Sequence, residues 1–173
     1  MIIGLTGRAG SGKSECAHFL QRRYGLEICK FAAPLKSMLY ALGLNAREIE
    51  GDLKQEPCNL LGGKTPRHAM QTLGTEWGRD LIDSDLWTNA WLRGLPSDRS
   101  AVADDVRFPN EAALVRRLGG KVIEIVRPDL EPIPGEHPSE TRDFGVDVTV
   151  ANDSDLDAMF SRLDVALMQG VAA

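Results

Sequence analysis

Short apolar runs alternate with amphipathic stretches along the chain, which predicts parallel strands connected by helices. The strand candidates are residues 2–5, 27–31, 101–103, 121–126 and 147–151. The helix candidates are residues 13–24, 34–42, 66–81, 84–92, 109–118 and 155–168, with a polar, glycine-dotted connection over residues 45–64. This order predicts the fold class α/β, with a five-stranded and mostly parallel sheet in a single domain over residues 1–173. In such a fold, ligands bind at the carboxyl ends of the strands.

Composition restricts the partners rather than the fold. A chain of 173 residues with a net charge of −5 suits one globular domain and argues against binding to a nucleic acid polymer or a membrane surface. No apolar run approaches the ~20 residues of a membrane span, and the chain begins directly with a strand pattern. The three cysteines are widely spaced, so we expect reduced thiols and a cytoplasmic location.

The first connection carries the clearest chemical signal. Gly7, Gly12, Lys13 and Ser14 fit the phosphate-binding loop G-x-x-x-x-G-K-[ST], between a strand and a helix that Gly25 ends. Backbone N–H groups of such a loop bind phosphate oxygens, the lysine reaches the β- and γ-phosphates, and the serine binds Mg²⁺. The sequence therefore predicts a nucleoside triphosphate site made of Gly7, Ala9, Gly10, Ser11, Gly12, Lys13 and Ser14.

Charged and polar residues also follow the later strands. Asp104 and Asp105 end the third strand, where a second acidic group near Mg²⁺ is expected, and Arg107 could hold a transferring phosphoryl group. Arg127 follows the fourth strand and precedes a proline-rich stretch that suits a lid, so it could lie over ATP or be a surface arginine. Asn152 follows the last strand, where it could cap the final helix or meet the adenine of a nucleotide.

The helix that Thr65 and Pro66 begin has two different faces. One face carries an apolar stripe that we expect in the core: Met70, Leu73, Trp77 and Leu81. The other face carries Arg67, which suits a phosphate, Gln71, which suits a base edge, and two glycines, Gly74 and Gly78. Glycine within a helix costs about 1 kcal/mol relative to alanine, so a group that approaches closely, or a break in the helix, is expected here. Trp87 is either core or a stacking surface.

Seven segments together match the pattern of one family. They are residues 4–14, 31–36, 65–79, 83–87, 105–111, 137–140 and 152–153. The loop GLTGRAGSGKS is shared by many families, whereas TPRHAMQTLGTEWGR and DVRFPNE are much more specific. On these segments the chain resembles the deoxynucleoside monophosphate kinases of tailed bacteriophages, which belong to the P-loop nucleotide kinases.

The resemblance implies a P-loop kinase three-layer sandwich and phosphorylation of a deoxynucleoside monophosphate with ATP and Mg²⁺. It implies a monophosphate-binding side over residues 34–95 and a lid over residues 128–142. It implies that Lys13 and Ser14 bind ATP and Mg²⁺, and that Asp105 and Arg107 contact the reacting phosphates, with Asp105 also a ligand of the metal. For the acceptor nucleotide it implies four residues: Arg67, Gln71, Asp85 and Trp87. Arg79 is a further cation for the acceptor phosphate, and a homodimer is left open.

Three alternatives remain at the level of sequence. A dephospho-coenzyme A kinase shares the loop and the layout, but an aspartate directly after the second strand is expected there, and residues 30–34 contain no acid. A P-loop GTPase or assembly factor is expected to carry Asn-Lys-x-Asp after a late strand, where this chain has Asn-Asp-Ser-Asp. A binding module without catalysis is the third, although Lys13, Ser14 and Asp105 are intact.

Overall fold

The apolar runs form one parallel sheet of five strands in this computed structural model, which describes residues 1–130 and 144–168. The strands are β1 (Ile2–Thr6), β2 (Glu27–Ile28), β3 (Ala101–Ala103), β4 (Lys121–Val126) and β5 (Val148–Ala151). Their order is β2-β3-β1-β4-β5, and every neighbouring pair is parallel. The predicted fold class, α/β with a five-stranded parallel sheet, is confirmed.

The chain divides into two compact units. Unit 1 comprises residues 1–30 and 95–173, and it contains the whole sheet; unit 2 is the continuous stretch Phe31–Gly94. Unit 2 nearly coincides with residues 34–95, for which the resemblance implies monophosphate binding, and that role stays a prediction.

Unit 1 has three layers because alternate strand residues face opposite sides of a sheet. Its helices are α1 (Lys13–Tyr24), α6 (Pro109–Arg117) and α7 (Leu156–Met168), with α2 to α5 in unit 2. Ile3 and Leu5 of β1 belong to the core formed with α1 and α7. Gly4, between them, faces the other side, where a Cβ atom would come within 2.9 Å of Val106 and 3.2 Å of Val115 of α6. Helices therefore cover both faces of β1.

The secondary-structure elements of unit 2 are all helices. Its α-helices are α2 (Ala33–Ala41), α3 (Ala46–Ile49), α4 (Pro66–Thr72) and α5 (Leu86–Gly94), with 3₁₀ turns at Asp52–Gln55 and Asn59–Leu61 and a π-helical segment at Leu73–Ile82. Leu39, Leu44, Ile49 and Met70 form its buried cluster. Phe31 stacks on Trp91 of α5, with ring centroids 4.5 Å apart.

Most element boundaries agree with the sequence, and the differences have local causes. Residues 13–24 form the predicted helix, and Gly25 ends it in the left-handed conformation, with φ 70°. The second strand is shorter than predicted and ends at Ile28. The connection over residues 45–64 contains α3, which was not predicted. Asn45 caps α3 by accepting from the N–H of Glu48, while Glu48 Oε2 accepts from the N–H of Asn45 at 2.8 Å.

The apolar stripe on the helix after Thr65 is only partly buried. Met70 lies in the core, but Trp77 is 39 % exposed and Leu81 is 75 % exposed, so the prediction of core positions was wrong for these two. The helix changes from α to π geometry at Leu73, and the N–H of Asp83 donates to the carbonyl of Gly78, five residues earlier. A π turn holds more residues than an α turn, so side chains at α-helical spacing rotate off the core face.

Candidate functional site

The phosphate-binding loop connects β1 to α1 at the carboxyl end of the sheet. Gly7 and Gly12 both have positive φ, 141° and 105°, which L side chains rarely adopt. A Cβ atom on Gly7 would also strike the Ile125 carbonyl oxygen and lie 2.8 Å from Ser11 Oγ. The first N–H groups of a helix have no partner within it and attract anions, so a loop that turns directly into α1 suits phosphate.

Lys13 stays close to this loop. Its ammonium group donates to the carbonyl oxygens of Gly7, at 2.8 Å, and Arg8, at 2.7 Å. The positive charge is therefore held at the loop by the backbone that would surround a phosphate. A charge fixed in this way needs little rearrangement to interact with a transferring phosphoryl group.

Residues after β4 and β5 support the loop from outside. Asn152 Nδ2 donates to the carbonyl of Ser11 at 2.9 Å, so this side chain fixes the loop; its predicted contact with the cofactor stays a prediction. Arg8 donates to the Leu130 carbonyl at 3.4 Å, and the Leu130 side chain lies 3.7 Å from where a Cβ of Gly10 would be. Arg127 is exposed at the beginning of this segment. The rest of the expected lid, residues 131–142 with His137 to Glu140, lies outside the described residues.

Ser14 contacts Asp104, not the neighbouring Asp105. The Ser14 hydroxyl donates to Asp104 Oδ2 at 3.0 Å, and the Lys30 ammonium group bonds the same oxygen at 2.8 Å. Asp104 is only 4 % exposed. Asp105 is half-buried and Arg107 is exposed. Sequence reasoning missed Lys30, which it placed inside the second strand; a lysine near the carboxyl end of that strand was the only signal.

The donor set around Ser14 fits a magnesium ion. Asp104 Oδ1 is buried and has no hydrogen-bond partner among residues 1–130 and 144–168, so an oxygen acceptor is available beside the Ser14 hydroxyl. No group of three or more His, Cys, Asp or Glu side chains suits a metal within the described part of the chain. One carboxylate and one hydroxyl are too few for an all-protein cage, but they suit Mg²⁺ that arrives with substrate phosphates.

Glu111 is a second residue that sequence reasoning missed. It is 3 % exposed, and its Oε2 accepts from the N–H groups of Arg107, at 2.8 Å, and Phe108, at 3.1 Å. The buried carboxylate thus fixes the backbone of Arg107 at the beginning of α6. The signal was available, because an acid in the first turn after a proline is typical of a helix start.

The residues predicted for the acceptor nucleotide lie in unit 2. Arg67 and Gln71 are half-buried and four residues apart, so they share one face of α4. Arg79 is half-buried and donates to the Ser84 carbonyl at 3.2 Å, and Asp85 is exposed and accepts from Thr88 Oγ1. Trp87 is 5 % exposed.

Trp87 contacts both glycines of this helix and explains why Gly78 is one. Its Nε1–H donates to the Gly74 carbonyl at 2.7 Å, and a Cβ atom on Gly78 would come within 2.6 Å of its ring. The group that approaches closely at Gly78 is therefore an indole ring of the chain itself. A direct contact of Trp87 with a nucleotide stays a prediction.

Two further properties concern the Cys16 thiol and the length of the helices. Burial, with a contribution from Glu15, raises the pKa of the Cys16 thiol to about 12, and this residue is packed, as predicted. Among the described residues, no helix is long and apolar enough to cross a membrane.

The chain is similar to known proteins along most of its length. The model of the family described as deoxynucleotide monophosphate kinase matches residues 64–163. A "putative deoxynucleotide monophosphate kinase" of Acanthamoeba polyphaga mimivirus is 33% identical over 182 residues, covering 94% of each chain. The deoxynucleoside-5'-monophosphate kinase of Escherichia phage T5 is 33% identical over 85 residues, covering 44% of this chain and 34% of the phage protein.

A solved structure is similar in fold. The crystal structure of TT1252 from Thermus thermophilus aligns with a TM-score of 0.56 and 15% identity, covering 100% of this chain and 98% of that one. At this identity the likeness concerns the fold alone.

Proposed function

The chain belongs to the deoxynucleotide monophosphate kinase family and is an enzyme of nucleotide phosphoryl transfer, and we propose that it moves the γ-phosphoryl group of ATP to a deoxynucleoside monophosphate with Mg²⁺. The observation that carries the ATP and Mg²⁺ assignment is the bond from Ser14 Oγ to Asp104 directly after the loop. For the acid of the metal site we propose Asp104, whose carboxylate contacts the loop serine.

The proposed mechanism is mainly positioning and charge stabilisation, because phosphoryl transfer needs little covalent chemistry from the protein. Mg²⁺, when bound, supplies charge that neutralises the β- and γ-phosphate oxygens. Lys13 adds a point charge at the loop, where its ammonium is already held by two carbonyl groups. Glu111 fixes the backbone of Arg107, whose guanidinium is suited to a bidentate contact with the transferring group.

A phosphate acceptor agrees with the residues better than a hydroxyl acceptor. A hydroxyl group must lose a proton during transfer and usually needs a carboxylate beside it. The stretch Lys30–Pro34 contains no acid. A monophosphate has a second pKa of about 6 and is mostly dianionic at neutral pH, so it needs cations rather than a base. Arg67, Arg79 and Arg107 are the proposed cations.

The test is ADP formation from ATP and Mg²⁺ with a panel of acceptors: the four common deoxynucleoside monophosphates, their ribonucleotide counterparts and dephospho-coenzyme A. We expect rapid ADP formation with at least one deoxynucleoside monophosphate and essentially none with dephospho-coenzyme A. The opposite preference would identify a dephospho-coenzyme A kinase. ADP formation that does not depend on any acceptor would identify an NTPase.

A further inference from the structure

We propose that Lys30 is a positioning residue of the metal site, whose ammonium group holds the Asp104 carboxylate and disfavours divalent metal until nucleotide brings the ion. Lys30 Nζ and Ser14 Oγ both bond Asp104 Oδ2, at 2.8 and 3.0 Å. The inference rests on the proposed function, because it assigns Asp104 to the metal of the nucleotide complex.

The buried Asp104 carboxylate needs a compensating positive charge. An ionised carboxylate that is 4 % exposed is costly without a partner, and the Lys30 ammonium group supplies the compensating charge. A divalent ion that approaches Asp104 meets this ammonium group within hydrogen-bond distance of the same carboxylate. Repulsion between the two cations must therefore weaken metal binding to the protein alone.

The two oxygens of the Asp104 carboxylate have different surroundings. Asp104 Oδ1 is buried and bonds no group in the described ranges, while Oδ2 accepts from both Lys30 and Ser14. Buried acceptors are nearly always paired in proteins, so this oxygen indicates a ligand that residues 1–130 and 144–168 do not supply. Lys30 can therefore keep Asp104 oriented without occupying every acceptor position.

The placement of Lys30 lets the ammonium group change partners. The preceding residue, Cys29, donates its N–H to the Val102 carbonyl at 2.9 Å, which fixes the backbone beside β3. The Lys30 side chain itself is 36 % exposed and has a flexible four-carbon stem. The oxygens of a bound triphosphate bring several negative charges close to Asp104. The metal ion and the Lys30 ammonium group then no longer have to share the Asp104 carboxylate as their one negative partner.

The test measures Mn²⁺, as a probe of the Mg²⁺ site, on the full chain without nucleotide. Free Mn²⁺ is followed by electron paramagnetic resonance for the wild type and for Lys30→Met. We expect Lys30→Met to bind Mn²⁺ about fivefold or more tightly, because a partly exposed competing cation is removed. Lys30→Arg keeps the charge and should bind Mn²⁺ as the wild type does. An unchanged or weaker affinity of Lys30→Met would overturn the inference.

Two controls make the effect specific. In the Asp104→Asn background, Lys30→Met should no longer change the affinity for Mn²⁺, because the carboxylate that both cations share is gone. Lys36→Met removes another paired lysine, which bonds Glu50 at 2.7 Å in unit 2, and it should leave Mn²⁺ binding unchanged. Equal tightening in Lys36→Met would indicate a general charge effect and contradict the proposal.

A stability readout covers the case in which Lys30→Met folds poorly. The buried Asp104 charge then lacks its partner, so the melting temperature should fall without metal and recover with millimolar Mn²⁺. A fall that Mn²⁺ does not reverse would contradict the inference.

Binding of Mn²⁺ together with ATP to the wild type is measured in parallel, to distinguish failure of this inference from failure of the proposed function. If the wild type binds the pair and transfers phosphate but Lys30→Met does not tighten Mn²⁺ binding, only the Lys30 inference fails.

Discussion

At the residue scale, the charged groups of the candidate site are held by contacts within the chain itself. Lys13 bonds two loop carbonyls, Asp104 accepts from Ser14 and Lys30, and the Glu111 carboxylate fixes the backbone N–H groups that follow β3. Groups that are fixed before the reaction need not reorganise during it, which is the main source of electrostatic catalysis.

Lys13 should matter for turnover and hardly at all for folding. We expect Lys13→Ala to lower kcat by about 10²-fold or more, because a charge directed at the transferring phosphoryl group is lost. The melting temperature should stay similar, since the two lost hydrogen bonds go to half-buried loop residues outside the core cluster. Lys121→Ala is the matched control, because its ammonium group also donates to a backbone carbonyl, that of Ala166, from the other end of the sheet. If Lys13→Ala keeps near-normal turnover, the loop does not take part in the mechanism.

The two adjacent aspartates can be distinguished by their metal dependence. Asp104→Asn should raise the Mg²⁺ concentration for half-maximal activity by about 10- to 100-fold, as expected when a carboxylate of a metal site is removed. Asp105→Asn is the matched comparison and should change this concentration much less, because it is Asp104 that accepts from the Ser14 hydroxyl. A larger effect of Asp105→Asn would return the metal role to Asp105, as the resemblance implied.

The loop could be predicted from sequence because glycine, lysine and serine at fixed spacing carry the chemistry in their order. The choice between Asp104 and Asp105 could not. Successive residues after a strand point in different directions, so the choice depends on the exact end of β3, at Ala103. Lys30 was missed for a similar reason, since its contact joins residues 74 positions apart.

At the scale of elements, the helix after Thr65 shows where periodicity fails. The start of α4 was predictable, and Thr65 Oγ1 accepts from the N–H of His68 at 3.1 Å as a cap should. The change to π geometry at Leu73 leaves no mark in the hydrophobic spacing, so Trp77 and Leu81 were wrongly assigned to the core. The two glycines were the better signal, although the group that approaches Gly78 is Trp87 of the chain itself.

The close packing of Trp87 predicts different outcomes at the two glycines. Gly78→Ala should lower the free energy of unfolding by about 1–3 kcal/mol, because the new Cβ would lie 2.6–2.7 Å from the indole ring. Gly74→Ala is the matched control: its Cβ would meet only Leu35 at 3.6 Å, so the change should stay within about 1 kcal/mol and can be stabilising. Urea unfolding measures both. Equal effects at the two positions would contradict this account of the packing.

At the scale of the whole molecule, the alternation of strands and helices was enough to predict the class and the layers. The division into two units was less visible, because no linker separates Lys30 from Phe31 or Gly94 from Leu95 in composition. Unit 2 has its own buried cluster, which depends on contacts between helices far apart in sequence. The possible homodimer stays open.

The Cys16 thiol should report on the integrity of unit 1, because it lies in the core of that unit. Cys16 is fully buried and burial raises its pKa to about 12, whereas Cys29 and Cys58 are half-buried. The thiolate is the reactive form, and burial also raises the pKa of Cys29. At pH 8 native protein should therefore be labelled at Cys58, more slowly at Cys29, and at Cys16 only after unfolding in urea. Cys16→Ala should remove one label from the unfolded protein and none from the native protein. Labelling of native Cys16 as fast as Cys29 would show that this core opens readily.

The strand order also governs how the chain is made. In the native sheet Ile2 of β1 pairs with Ala101 of β3, and Ile3 pairs with Lys121 of β4. A ribosome that adds about 5–20 residues per second needs on the order of 5–20 s to reach β3 after β1 has been synthesised. Throughout this interval β1 has neither of its neighbours, although its five residues are all buried in the finished protein. Unit 2 is continuous and complete at Gly94, so it is free to fold first, while the nascent β1 is the segment most exposed to chaperones and to aggregation.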